Sequence, residues 1–405
     1  MPDAETLDIV ALGAQGDGIA ETGEGPRYVP FALPGEHVRM MDGGLSEILS
    51  TPSPDRIAPV CKHFGICGGC VAQHMSASLY AEWKRTIVVE AFRQRGLEPD
   101  IGALVHVPLA SRRRAVLTAH RAGSDIVLGY HRRASHDVFQ MAECPVLEVD
   151  IVRRLPGLRA LAVALPARES RITVLHTRAG LDVAVEASAR SSPALLSHLA
   201  QVAAEHGFAR VVIDGETVVQ RASPVLDLGG VALAPPPGIF LQAVQHAEAA
   251  MIAHVRDAAG KSKRIADLFC GLGSFTFALA RRARVLAMDS DARAIGALGD
   301  AVRHAQGLKP IEMRVRDLFR DPLSPRELEG FDTVVFDPPR AGAKAQAEAL
   351  AKSRVPTVIA VSCNPATLAR DARALIDGGY RIASVVPIDQ FLYSAHVEVV
   401  ATFRR

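Results

Sequence analysis

The stretch RIADLFCGLGSFTFALARRARVLAMD (264–289) decides the fold. Two apolar runs, RIADLF (264–269) and RVLAMD (284–289), flank a glycine loop and a helical pattern. Strand, tight turn, helix and second strand make a βαβ unit, whose strands lie parallel. The alternation continues outward through IEMRVRD (311–317), FDTVVFD (331–337), TVIAVSC (357–363), RIASVVPI (381–388) and HVEVVATF (396–403). Helical patterns separate the first six runs. Only a short connection joins the last two, which suits an antiparallel pair. The pattern predicts an α/β region with a doubly wound, mostly parallel sheet that binds ligands at the carboxyl ends of its strands.

Upstream the pattern differs. LDIVALGAQGDGIA and RYVPFALPGEHVRM are short apolar runs broken by glycine and proline, as in a small β-barrel. TPSPDRIAP (51–59) and APPPG (234–238) read as linkers. Residues 76–96 read as a helix that starts at a serine and stops at Gly96. Strand-like runs then dominate from about 105 to 230, with helical stretches near 146–164 and 193–206. Three segments are expected: a barrel over 1–52, an α+β region over 53–235 and the α/β region over 236–405.

Hydrophobic residues make up 49% of the 405 and charged residues 22%, which excludes bulk disorder. No apolar run reaches 18 residues, so no transmembrane helix is expected. The opening MPDAETLDIV is acidic and lacks the basic region of a secretory signal, so a cytoplasmic location is expected. Net charge is only +2, but it is unevenly spread. Residues 1–50 hold two basic and nine acidic residues, which does not suit phosphate contact. Residues 105–135 hold six arginines against one aspartate. Arg112, Arg113, Arg114, Arg132 and Arg133 are therefore candidates to track a nucleic-acid backbone, with a solvated surface as the alternative.

Six cysteines in a cytosolic chain read as metal ligands or nucleophiles rather than disulfides. Cys61, Cys67 and Cys70 fall in CKHFGICGGC, where glycines let the loop wrap back so that three sulfurs converge. A tetrahedral metal or a four-iron cluster needs a fourth thiolate. Cys144, followed by proline, is the good remaining choice. The spacing favours [4Fe–4S] over zinc, with a structural role.

DLFCGLGSF (267–275) follows a strand and opens a helix. Gly271 and Gly273 allow close approach of a ligand, but the loop lacks the third glycine of a dinucleotide fingerprint. Asp289 ends the next strand and can accept from ribose hydroxyls. Asp317 ends the third and can take an adenine amino group. S-adenosylmethionine fits better than a nicotinamide dinucleotide, and Cys270 reads as a small core residue. FDPPR (336–340) holds Asp337 and Arg340 over the cleft on a turn stiffened by two prolines. SCNP (362–365) places Cys363 at the sheet top, before a helix start that would favour its thiolate. Glu398 sits in the apolar strand HVEVV, where a carboxylate needs either solvent or a task.

The set CxxxxxCxxC, CP, FLQ, DLFCGLGSF, DPPR, SCNPATLARD and HVE, in this order along nearly the whole chain, resembles the RNA uracil-5-methyltransferase family. It is similar to the iron–sulfur branch with an N-terminal TRAM domain. The resemblance implies a class I S-adenosylmethionine-dependent methyltransferase domain with a Rossmann-like fold. It also implies methylation of uridine in RNA, with 23S rRNA favoured, tRNA as the alternative and a monomer as the default. Cys363 resembles the family's nucleophile and Glu398 its general base. Gln242, Phe269, Ser274, Asp289, Asp317 and Asp337 match methyl-donor positions. Ser274, Asp289 and Asp317 stand where asparagine, glutamate and asparagine are commonest, and all three swaps keep hydrogen bonding. Arg340 joins the five upstream arginines as an RNA contact. Three rivals remain: a cytosine-5 RNA methyltransferase, which usually carries a cysteine where this chain has DPPR, a non-catalytic iron–sulfur RNA-binding module, and a redox sensor built on the cluster.

Overall fold

A computed structural model describes residues 6–41, 46–123, 125–188 and 192–405. The two deciding strands form at Arg264–Leu268 and Arg284–Asp289 and pair in parallel, with Ile265 opposite Val285. They belong to a seven-stranded sheet. Its order is Ile311–Val315, Arg284–Asp289, Arg264–Leu268, Thr333–Phe336, Thr357–Ser362, Glu398–Arg404, Arg381–Ile388. The first five strands are parallel, and Glu398–Arg404 runs antiparallel to both of its neighbours. Every residue of Thr333–Phe336 and Thr357–Ser362 is buried, as central strands covered on both faces must be. The order reverses between Arg264–Leu268 and Thr333–Phe336, so a crevice opens beyond their carboxyl ends.

Helices Ser274–Ala280, Ala292–His304, Lys344–Ala351 and Pro365–Asp377 fill four of the five expected crossovers. The fifth is not an α-helix: residues 316–332 run through turns. Pro322 and Pro325 remove backbone donors there and clash with a preceding turn, which outweighs the helical pattern.

The helix expected at 76–96 forms over Ala77–Arg93. Ser76 Oγ accepts from Leu79 N–H at 3.2 Å, and Gly96 turns the chain at φ +66°. Its Val88 and Phe92, with Leu97 and Ile101 beyond, share one core with Leu268, Val334, Leu368 and Phe403. Ile101 and Val105 also bridge to Val385 and Ile388 at the sheet edge. Core packing at the two ends of the expected 53–235 segment is shared with the C-terminal region. Residues 77–105 pack into the C-terminal core, and so does the hairpin Leu226–Leu228/Val231–Leu233, against Leu272 and Phe277. Linker composition marked where the chain bends, not where its apolar faces are buried.

Between these pieces lies a six-stranded sheet, ordered Glu216–Gln220, Phe208–Ile213, Gly180–Glu186, Glu169–Thr177, Arg114–Ala122, Asp125–Gly129. Helices Leu155–Ala164 and Pro193–Glu205 share its core through Leu158, Leu161 and Leu199. At the N-terminus, six short strands form two three-stranded antiparallel sheets on one small core that includes Leu7, Ile9, Ala20, Val29 and Val38. This unit is docked on the rest of the chain. Trp83 Nε1 donates to Gly13 O at 2.9 Å, and Arg56 pairs with buried Glu36 at 2.6 Å. Among the described residues, no helix is long and apolar enough to cross a membrane.

Candidate active site

Cys363 follows the buried strand Thr357–Ser362 and precedes Asn364, which caps the helix Pro365–Asp377 by accepting from Ala366 N–H at 3.1 Å. The half-buried thiol lines a cavity of about 390 Å³ together with Arg340, His396, Trp83 and Gln15. The neighbouring turn is tied to it, because Arg340 O accepts from Asn364 Nδ2 at 3.1 Å and from Thr367 Oγ1 at 3.3 Å. The expected thiolate is corrected. Desolvation, then the nearby Glu398 and Asp337 carboxyls, push the thiol pKa up to about 11, with Arg340 opposing. Cys363 lies outside the helix, before its capping residue Asn364, so burial and the two carboxyls outweigh the helix terminus.

Glu398 is 2% exposed at the start of the antiparallel strand, so it does not face solvent. Its Oε2 accepts from Gln390 Nε2 at 2.9 Å. Gln390 Nε2 also donates to Gln242 Oε1 at 2.7 Å, and Gln242 Nε2 donates to Asp337 Oδ2 at 3.0 Å. One chain of hydrogen bonds therefore links Glu398, Gln390, Gln242 and Asp337. Desolvation and the Asp337 charge push the Glu398 pKa well above the carboxylate range. Desolvation and Asp267 push Asp337 up to about 7. Asp267, fully buried, is held by Thr276 Oγ1 at 2.5 Å and is also raised to about 7, chiefly by desolvation. Its Oδ1 has no partner, and neither has Gln390 Oε1. Buried, mutually repelling carboxyls with spare acceptors suit a cationic ligand.

The glycine loop supplies the rest of that crevice. Gly271 and Gly273 take φ +53° and +92°, and a side chain at Gly271 would meet open space. Asp289 Oδ2 accepts from Gly271 N–H at 2.9 Å, and its Oδ1 accepts from Asp291 N–H at 2.8 Å. The carboxylate thus braces both loops and keeps lone pairs for a ligand. Asp317 is exposed and makes a turn by accepting from Phe319 N–H at 3.0 Å. Phe269, at φ +59°, meets Phe319 at 5.3 Å between ring centroids. Ser274 Oγ donates to Glu248 Oε1 at 2.5 Å. Cys270 is buried beside Leu272 and Phe277, as a core residue.

The arginines divide. Arg113 is 4% exposed and holds Glu248 Oε2 at 2.8 Å and Gln242 O at 3.1 Å. The expectation that it binds RNA is therefore corrected: a guanidinium enclosed by a carboxylate and a carbonyl has no face left for phosphate. Arg133 pairs with Asp17 at 3.1 Å and lies 4.9 Å from the Phe31 ring centroid, so it joins the N-terminal unit to the centre. Arg112 donates to Arg114 O at 3.0 Å. Arg114 lies 5.9 Å from the ring of Phe240, which is 68% exposed two residues before Gln242. Arg132 is exposed. Arg340 Nη2 comes within 2.9 and 2.6 Å of the ring nitrogens of His396, a group that desolvation and nearby cations keep neutral.

Cys61, Cys67, Cys70 and Cys144 line one cavity of about 420 Å³. Gly69 N–H points to Cys67 Sγ at 3.3 Å. Burial raises all four thiols, Cys70 to about 12. Among the described residues, no three His, Cys, Asp or Glu side chains are grouped to hold a metal ion. Phe391, Ser394 and His396 complete the cavity wall, and His396 also lines the Cys363 cavity.

Comparison with known proteins places these features. Residues 312–405 match the family described as tRNA (Uracil-5-)-methyltransferase, and residues 231–356 match Methyltransferase small domain. An uncharacterized RNA methyltransferase of Rhizobium meliloti is 48% identical over 411 residues, covering 99% of both chains. A 23S rRNA (uracil(1939)-C(5))-methyltransferase RlmD of Alkalilimnicola ehrlichii is 34% identical over 429 residues, covering 98% of this chain and 96% of that one. The chain belongs to the RNA uracil-5-methyltransferase family. The crystal structure of Pyrococcus abyssi tRNA (uracil-54, C5)-methyltransferase with S-adenosyl-L-homocysteine shares its fold. The TM-score is 0.74 over 98% of this chain and 99% of that one, at 22% identity. The seven-stranded sheet of this RNA methyltransferase is accordingly of the class I type. Sequence reading of the family's motifs missed Gln390 and Glu248, which bond Glu398 and Ser274, and the role of Asp267, whose charge raises Asp337. A polar pair, Asp389-Gln390, directly after an apolar strand was the available signal.

Proposed function

We propose that this enzyme methylates carbon 5 of a uridine in RNA, with S-adenosylmethionine as methyl donor, Cys363 as nucleophile and Glu398 as general base. The observation that carries the reading is the thiol on an open cavity with two carboxyls, buried Glu398 and half-buried Asp337, close enough to shift it. Uracil carbon 5 is a weak nucleophile. Addition of the Cys363 thiolate at carbon 6 turns the ring into an enolate and makes carbon 5 electron-rich. S-adenosylmethionine supplies an electrophilic methyl group and a positive charge. Gln242, Phe269, Ser274, Asp289, Asp317 and Asp337 would hold it, and the three aspartates among them suit a cation. Glu398 then takes the carbon 5 proton, the ring double bond re-forms, and the carbon 6–sulfur bond breaks to return the thiolate.

The target base must leave any stack to reach Cys363. Exposed Phe240 backed by Arg114 offers a face for a neighbouring base, and exposed Arg132 with Arg340 offers backbone contacts. The five-then-two spacing of Cys61, Cys67 and Cys70, with Cys144 on the same cavity, suits a [4Fe–4S] cluster better than zinc. The N-terminal unit reads as the TRAM-like part, docked beside the nucleophile through Gln15. The relative aligned along the full chain is named for 23S rRNA, which favours ribosomal over transfer RNA. Incubation with RNA carrying 5-fluorouridine tests the chemistry, because carbon 5 then has no proton to lose. A covalent protein–RNA complex that disappears in Cys363→Ala is expected, and its absence in the parent enzyme refutes the reading. Mapping 5-methyluridine in total RNA with and without the gene separates ribosomal from transfer RNA.

A further inference from the structure

Lys84 lies on the helix Ala77–Arg93 and has no exposed surface. Its Nζ stands 3.0 Å from Asp389 Oδ1, 3.2 Å from Phe391 O and 2.5 Å from His396 O. An ammonium has three donors, and all three are used. Asp389 is also fully buried, and both of its oxygens lie 2.8 Å from the Tyr80 hydroxyl. That hydroxyl accepts in turn from Tyr393 N–H at 2.8 Å. Two side chains of one helix therefore grip residues 389–396 near both ends and in the middle.

The gripped segment lies between two strands and holds little regular structure of its own. Tyr393 takes φ +61° within it, a conformation that a non-glycine residue keeps only under external restraint. It carries Gln390, which bonds Glu398, and His396, which meets Arg340 beside Cys363. A buried ion pair adds little stability compared with an apolar pair of the same shape, so its presence asks for another role.

We propose that Lys84 is a positioning residue for the methyl transfer, fixing the 389–397 segment so that Glu398 is aimed at the proton it removes. The inference rests on the functional reading above. It predicts that loss of Lys84 slows the last step, in which the Glu398 carboxylate takes the carbon 5 proton while the carbon 6–sulfur bond breaks. Thiolate addition and methyl transfer come earlier and depend less on that carboxylate.

The test uses the full chain as Lys84→Met, and as Lys84→Met/Asp389→Asn, which removes both buried charges so that neither is left alone. With ordinary uridine RNA, both variants are expected to accumulate a methylated covalent protein–RNA complex that the parent enzyme does not. Its breakdown should slow by about 100-fold, the scale of a 1 Å misplacement, while KM for S-adenosylmethionine changes little. Equal slowing of complex formation and breakdown would mark Lys84 as merely structural and overturn the proposal, as would unchanged turnover. Parent enzyme that traps 5-fluorouridine RNA normally, beside variants without accumulation, overturns the Lys84 inference alone. Parent enzyme that never traps overturns the functional reading and this inference with it.

Discussion

Gln390 donates to Glu398 at 2.9 Å, and both side chains are only 2% exposed. The same Gln390 nitrogen reaches Gln242, which holds Asp337. The proposed base side and donor side of the site are thus one hydrogen-bonded unit, buried except at half-buried Asp337. A carboxyl in that setting resists ionisation but is a strong base once ionised.

Glu398→Gln keeps the shape of this unit and removes the base. Turnover should fall by about 10²- to 10⁴-fold. Addition and methyl transfer remain possible, so the variant should hold RNA covalently. A denaturing gel with labelled RNA reads this directly, and a variant that loses turnover without retaining RNA would count against the base role.

The Cys363 pKa, raised to about 11, sets a pH dependence. Below that value the thiolate fraction grows about tenfold per pH unit. The raised Glu398 pKa acts in the same direction, because its ionised form also increases with pH. With saturating donor, kcat/KM should therefore climb steeply between about pH 7 and 9. A flat profile across that range would mean that the thiol is ionised by another group once substrate is bound.

The strand–helix alternation made the C-terminal sheet readable, because buried parallel strands leave long apolar runs such as TVIAVSC. Cys363, the proposed nucleophile, was readable for a related reason, as a reactive residue type at a strand end before a proline-started helix. What supports the site was not readable. Lys84 and Asp389 are 305 residues apart, and nothing local marks them as partners. Arg113 looked like its neighbours Arg112 and Arg114, yet it is 4% exposed while they are only half-buried, because it sits just before the strand and pairs with Glu248. Sequence shows charge, whereas tertiary packing decides which charges are enclosed.

Arg113 and Arg132 should accordingly behave in opposite ways. Arg113→Ala leaves Glu248 buried without its cation, which costs about 3–5 kcal/mol. A large drop in melting temperature is expected. Arg132→Ala removes an exposed cation. It should leave the melting temperature unchanged, weaken RNA binding and reduce the salt slope of the affinity by about one. Thermal melts paired with binding at several salt concentrations separate the two.

If the four cavity cysteines hold a cluster, anaerobically purified protein should contain about four iron atoms and four labile sulfides per chain. Cys67→Ser should lower that content and loosen the cavity wall formed by Phe391, Ser394 and His396. Zinc in place of iron, measured on the same preparation, would replace the cluster with a single-metal site.

Asp267 gives a stability test that does not depend on catalysis. Its carboxyl is fully buried, one oxygen lacks a partner, and its pKa is raised to about 7. A carboxyl whose folded pKa lies above its unfolded value binds its proton more tightly when folded. Its contribution is therefore most favourable below about pH 4, declines as pH rises toward 7, and is level above that. Three pH units at 1.36 kcal/mol each set an upper scale of about 4 kcal/mol. Asp267→Asn cannot ionise and should lose this slope. Its amide leaves a donor unpaired where the orphan oxygen stood, a penalty of about 1–3 kcal/mol. Denaturant titrations should thus show the variant less stable than the parent at pH 4.5 and level with it or ahead by pH 8. A constant difference across that range would mean that the parent carboxyl does not change its protonation state there.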